Sequence, residues 1–438
     1  MFHSRRIAIV GGGGSGITAA WLLDPCHDVT LFEAAPSLGG HAHTVSVEID
    51  GLTCPVDDGA AWFSDPLYPH MLRLLELVGA STRRVGMSWG FEDTTRDTTP
   101  LNLPPHGVLG AFQLLAKGAW WSDLVRLDNA LRAAEPLVAE RKTDWRWTDF
   151  VAHHRLSPRF AAKVLTPIVA GAWGAPADRI AEMSAYTLLK YMVLHRPSTL
   201  APFSWHVLRG GVANYVERVA SHLTRAVVHR GTPVTALRRD ALGWIVSTEG
   251  QEARFDEVVL AVGAGVAQRL LKGVAGVERL AAHVGAVETY RTRVATHSDV
   301  RHMPRRRSDW NVANLRFDGQ NSRMTIWSGH PWGLPVFTTP IGEGPLPART
   351  HHVSTFELPL LTPDHHRGQR ALGGLQGEAG LHIAGDWTRD IGSHEDAVDS
   401  AIAVCERMAP HSPNLARLRL PRVTRFGAPI GNPEGVAA

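Results

Sequence analysis

Three glycines near the start of the chain, Gly11, Gly13 and Gly16, follow the apolar run Ile7-Ala-Ile-Val10 and precede a helical stretch through Ala19, Ala20, Leu22 and Leu23. In a strand–turn–helix unit this G-x-G-x-x-G spacing binds a dinucleotide. The first glycine allows the tight turn, the second lets backbone approach a pyrophosphate, and the third lets helix pack on strand. With Gly14 and Ser15 they bring free amides to an anion at a helix N-terminus. Glu33 closes the second strand, Val29-Thr-Leu-Phe32, with Ala34 beside it, and its carboxylate is placed for the ribose hydroxyls of an adenosine. A glycine-rich loop in an unrelated α/β domain is the alternative.

A second candidate lies near the other end. Gly385-Asp386 ends the apolar run Leu381-His-Ile-Ala384, and Ser393 followed by Asp396 is a capping-box start for a helix. Val398, Ala401, Ile402, Cys405 and Met408 form its apolar stripe. A helix N-terminus aimed at a group that gains negative charge would stabilise that charge. His394, its first residue, is a candidate base or donor, with a purely structural histidine as the alternative.

These segments need a scaffold. Asp24-Pro25 stops the first helix, and residues 66–80 are predicted as an amphipathic helix carrying Leu67, Met71, Leu74, Leu75 and Val78. Residues 105–200 are expected to be mainly helical. Residues 226–263 read as short strands with turns at Asp240–Gly243 and Glu249–Gln251, residues 286–340 as further strands, and the part after Pro410 as a poorly ordered surface tail. The domain division that follows is a discontinuous cofactor unit (1–85, 205–280 and 370–410), a second unit (86–204 and 281–369) and a tail (411–438).

The chain has 438 residues, enough for two interlocked domains, with 44% hydrophobic and 20% charged residues. A net charge of +3 gives no case for a nucleic-acid partner. Cys26, Cys54 and Cys405 form no CxxC, so neither a metal site nor a disulfide framework is expected and a cytoplasmic setting fits. No apolar run is long enough to cross a membrane. Residues 107–128, with Val108, Leu109, Phe112, Trp120 and Trp121, could touch a membrane surface peripherally, ordinary packing being the alternative.

The turn alone does not separate FAD from NAD; the following residues do by resemblance. Glu33 to His41, with Gly39-Gly40, resembles the two-dinucleotide-binding-domain flavoproteins, which include amine oxidases, phytoene desaturases and protoporphyrinogen oxidase. There a basic residue, usually Arg, follows the glycine pair along the FAD pyrophosphate; here it is His41. Val56-Asp-Asp-Gly59-Ala60-Ala61-Trp62 resembles the loop beside the flavin ring, and Gly385-Asp386 with Glu395, Asp396 and Ala397 the C-terminal FAD motif. Val234 stands where the family's valine backbone meets adenine. Leu38–His43, Arg209–Val212, Met303–Arg307 and His394–Asp396 are similar to a bacterial subgroup of amine-oxidase-like proteins. That subgroup usually has Asp-Thr-Gly-Phe where this chain has Asp57-Asp58-Gly59-Ala60, a departure near the ring that implies a substrate different from the subgroup's.

The resemblance implies an α/β fold, a Rossmann-type FAD-binding domain interleaved with an α+β substrate domain, and non-covalent FAD. Fourteen tryptophans supply candidates for a substrate cavity: Trp62, Trp89, Trp173, Trp205 and Trp327, each with core packing as the alternative. No lysine follows Lys272, so the sheet-borne lysine of many amine oxidases has no counterpart, and the sequence shows no acid pair for an ammonium. The expectation is hydride removal from carbon of a hydrophobic, lipid-like substrate, as a desaturase or oxidase, with oxygen or another acceptor. A flavin-dependent isomerase, an amine oxidase, or a non-catalytic flavin-binding partner of a lipid-modifying enzyme are the competing readings.

Overall fold

A computed structural model describes residues 4–95, 100–104, 118–196, 204–319 and 322–419. The apolar run Arg6–Val10 is the middle strand of a five-stranded parallel sheet. Across it the order is 227–229, 28–32, 6–10, 257–260 and 381–383. A strand buried on both faces needs apolar residues throughout, and Ile7, Ala8 and Ile9 have no exposed surface. On one face pack the glycine-turn helix Gly14–Leu23, the helix Ala213–Ser221 and the closing helix His394–Met408. The other face is covered by an antiparallel three-stranded sheet (234–240, 243–248, 251–255) and by the helices Ala264–Leu271, Glu278–Gly285 and Pro363–Leu375. Ligands bind beyond the carboxyl ends of such strands, which is where Gly11 and Gly385 lie.

The second layer is a seven-stranded sheet ordered 350–359, 289–297, 337–340, 322–326, 313–317, 89–93 and 101–103. Its neighbours pair antiparallel except 313–317 with 89–93. The helices Gly118–Ala139, Thr166–Trp173 and Ala185–Leu194, the last called the wall helix below, share a core with Tyr290, Leu315 and Leu360 from this sheet side. The architecture is thus a Rossmann-type unit joined to an α+β layer.

Local expectations hold with shifted ends. The predicted 66–80 helix runs Pro69–Leu77, because Phe63–Ser64 pairs as a strand just before it. The tail differs more. Pro413–Leu418 is a helix capped by Ser412, and it buries Leu415 and Leu418 against the core under the glycine-turn helix. Its two leucines, missed among the arginines around them, anchor it. Residues 420–438 lie outside the described residues, as do 107–117 of the stretch considered for membrane contact. Among the described residues no helix is long and apolar enough to cross a membrane.

Candidate cofactor and substrate site

The turn is built by exclusion of side chains. Gly11 has φ +103°, and a Cβ there would lie 2.3 Å from the Ala261 carbonyl oxygen. A Cβ on Gly16 would fall 1.8 Å from the Gly11 oxygen. Gly13 differs: its added Cβ would meet Gly39 O only at 3.7 Å and Gly40 Cα at 3.8 Å, so its glycine leaves the gap between the two turns open. The second pair is fastened to the first, with Gly39 N donating to Gly12 O at 3.0 Å. Gly14–Leu23 starts without a side-chain cap, which leaves its first amides, including those of Gly14 and Ser15, for an anion.

Glu33 does more than expected. Its carboxylate accepts from Gly12 N at 2.6 Å and from Ala35 N at 2.8 Å, closing the turn from below. A carboxylate has about four acceptor positions, so two remain for hydroxyls. Ala34 is exposed beside it, and Thr232 N donates to Glu33 O at 2.8 Å, bringing Val234 to the same end.

His41 Nδ1 lies 3.5 Å from Asp386, joining the second glycine pair to the C-terminal motif. Burial opposes protonation of His41, but the Asp386 carboxylate outweighs it and raises the pKa, so the histidine leans toward the charge that arginine supplies in the resembled motif. Ala60 N donates to His41 O at 2.9 Å, and a Cβ on Gly59 would meet that oxygen at 2.2 Å. Residues Gly59, Ala60, Ala61 and Trp62 keep exposed surface there.

The closing helix meets this assembly differently from the sequence expectation. Ser393 and Asp396 form the capping box, Asp396 accepting from Ser393 N at 2.8 Å. Ala397 is buried. The Glu395 carboxylate turns away and accepts from His70 N and Met71 N, both at 2.8 Å, at the start of the helix Pro69–Leu77. Its side chain is therefore a clasp between helices rather than a cofactor ligand. His70 Nδ1 also lies 2.7 Å from Asp399, and its pKa is pushed up to about 9: burial opposes the charge, and Asp399 and Glu395 overcome it.

His394 sits between Gly14, Phe63 and Tyr215, its Nε2 hydrogen-bonded to the Tyr215 hydroxyl. Burial drives its pKa down to about 4, so the ring is neutral at pH 7. This place explains Gly14, whose Cβ would meet Tyr215 Oη at 2.8 Å and His394 Nε2 at 2.9 Å, and it makes His394 a link between the two helices.

From Phe63 an aromatic wall runs away from the turn. Phe63 stands edge-on to Tyr68 at 5.3 Å; further along, Tyr191 lies 6.0 Å from Trp173 and 5.7 Å from Trp205. His195 stacks on Trp205 at 4.5 Å and bonds Ser64 Oγ at 2.6 Å. Trp89 packs into the same helical core. Trp327 does not belong here. It forms a separate small core with Trp310, Met303 and Phe337, its indole Nε1 donating to Leu334 O at 2.7 Å.

Two groups went unseen in the sequence. On the strand Thr350–Pro359, Ser354 and Phe356 face the Rossmann loops. Buried Asp58 accepts from Ser354 Oγ at 2.6 Å and pairs with His43 Nδ1 at 2.7 Å, and raises the pKa of His43. On the wall helix, Lys190 is bonded to Asp390, which also takes the Tyr186 hydroxyl at 2.7 Å. The repeat His41-x-His43 and the spacing of Tyr186 and Lys190 were the available signals, but their partners are remote in sequence.

This convergence of a glycine turn, a ribose-end acid and a second glycine pair has known counterparts. The profile of flavin containing amine oxidoreductases matches residues 15–290. The chain belongs to that family. Family membership makes FAD the cofactor, and the residues fit it. Gly13 and Gly40 leave a cleft that side chains would fill, uncapped amides face it, and Asp386 with His41 closes its far end. Among curated relatives, coproporphyrinogen III oxidase of Mycobacterium leprae is 28% identical over 298 residues, covering 62% of each chain. Carotenoid phi-ring synthase of Streptomyces griseus is 27% identical over 288 residues, covering 60% of this chain and 53% of that one. The chain therefore spans about three-fifths or less of these relatives' lengths. Among solved structures, a fatty acid isomerase of P. acnes that produces CLA is similar in fold, with TM-score 0.66 and 15% identity, covering 92% of this chain and 99% of that one.

Proposed function

We propose that this protein is an FAD-dependent oxidoreductase that removes hydride from carbon of a hydrophobic substrate, as a desaturase or oxidase. One observation carries the reading: the wall reached from the glycine turn through His394 and Phe63 is aromatic, with Tyr68, Tyr191, Trp173 and Trp205 along it. Buried and half-buried rings gathered in this way bind apolar surface and exclude water. Bound FAD supplies a two-electron acceptor for hydride. Gly11, Gly13, Gly16, Glu33, Gly39, Gly40, His41, Gly59–Trp62, Val234, Gly385 and Asp386, with the backbone at His394–Ala397, hold it in this reading. Trp62 and Trp89 complete the substrate side.

A proton must also leave when a carbon–carbon bond is desaturated. His43 is suited to take it: Asp58 holds Nδ1, and Nε2 has no hydrogen-bond partner among the described residues. A base works only when deprotonated, so the rate of flavin bleaching should rise as pH climbs through the raised His43 pKa. Asp58→Asn should move that rise to lower pH, read by stopped-flow absorbance.

The first test is direct. Purified protein should be yellow, and an apolar substrate should bleach the flavin anaerobically. Colourless protein whose melting temperature added FAD does not raise would end the proposal.

A further inference from the structure

Beside Tyr191 the aromatic wall becomes charged. Lys190 of the wall helix and Arg141, just after the helix Gly118–Ala139, both pair with Asp390 in the loop before the closing helix. Tyr186, one turn before Lys190, donates to Asp390 Oδ1 at 2.7 Å. Lys190 directly precedes Tyr191 of the aromatic wall on the same helix, so the ion pair adjoins that wall.

Three features make this more than a structural ion pair. Lys190 and Asp390 are mostly buried, yet keep 18% and 16% of their side-chain surface open. Arg141 approaches Asp390 at 3.5 Å, beyond hydrogen-bond length, with 46% of its side chain exposed; most of its donors are unspent on Asp390. The charges also do not balance. Asp396 is the next carboxylate, but burial and the neighbouring Asp390 push it toward its neutral form. Two fixed cations then share one firmly ionised acid. Lys190 is the more buried of the two, and a mostly buried cation that shares its acid with a second cation is met best by a further anion.

We propose that Arg141 and Lys190 form the anchor for a carboxylate on an otherwise apolar substrate, whose body lies along Tyr68, Tyr191 and Trp173. This deepens the function proposed above and rests on it. The guanidinium fork suits a carboxylate, and Asp390 with Tyr186 holds the lysine in place. An ammonium head group would meet two cations and be rejected, which separates this site from one made for amines. The body could be a chain or a flat ring; the carboxylate is common to both.

The test is titration calorimetry of the FAD-loaded protein with four probes: decanoate, decanol, decylammonium and coproporphyrin III. Decanoate or coproporphyrin should bind, and decanol should bind at least about tenfold more weakly than decanoate if the chain is the body. Arg141→Gln should remove the preference for the acid while leaving decanol affinity and the melting temperature unchanged; Arg141→Lys should restore most of it. Lys190→Met should have the same effect in protein that retains FAD. Decylammonium binding as tightly as decanoate, or Arg141→Gln weakening acid and alcohol equally, would overturn the anchor. If decanol equals decanoate, the apolar-substrate reading stands and the anchor falls. If no probe binds to yellow protein, both fall.

Discussion

The two parts of the candidate site are made of different material. The turn side is backbone: Gly11, Gly13 and Gly16, the amides of an uncapped helix, and Gly39 laid against Gly12. The aromatic part is side chain: Tyr68, Tyr191, Trp173 and Trp205, with Lys190, Asp390 and Arg141 nearby. A cofactor common to a family needs fixed amides and open space, which glycine at fixed spacing supplies locally. A substrate peculiar to one enzyme needs shape and charge, which distant segments supply together.

Breaking the turn should cost most. A Cβ on Gly16 falls 1.8 Å from a backbone oxygen that cannot swing aside. Gly16→Val should therefore cost more than about 4 kcal/mol and give colourless protein, seen by melting temperature and flavin absorbance.

The clasp beneath the closing helix comes next. His70→Ala leaves Glu395 and Asp399 buried without their cation, which should cost about 3–5 kcal/mol in denaturant unfolding. The pH dependence has a definite sign. His70 is raised from 6.5 to about 9 on folding, so its contribution is full below pH 6.5 and disappears as pH rises through about 9. Unfolding at pH 7 and pH 10 should show wild type losing stability that His70→Ala lacks at both; equal losses would remove the clasp from the account.

Smaller effects sharpen the contrast. Glu33→Ala should weaken FAD by about tenfold or more, measured by fluorescence titration, because a carboxylate loses its charge-assisted bonds while the glycines remain. Smallest of all, Trp327→Phe should leave probe binding unchanged, whereas Trp173→Leu weakens it, since Trp327 packs in another core.

How much of this was legible follows from sequence distance. The pairing of strands 6–10 and 28–32 around one helix is a local unit, and both its glycines and its terminal acid were readable. Ser393 with Asp396 was readable for the same reason, a cap being a contact three residues long. Glu395 was misplaced because its amides belong to His70 and Met71, over three hundred residues away in sequence. Trp327 and Trp173 could not be told apart by composition; only the packing partners decide which core a tryptophan joins. The ordered helix Pro413–Leu418 was hidden because two leucines matter only when a core lies opposite them.

By itself the sequence determined the Rossmann-type unit, the glycine turn and the capped closing helix, because each rests on steric and hydrogen-bonding rules acting over a few residues. Tertiary structure alone decided that Lys190, Arg141 and Asp390 share one place, that Asp58 orients His43, and that Glu395 faces away. Those facts depend on which remote side chains meet in a low-dielectric interior, where a charge is tolerated only beside its partner.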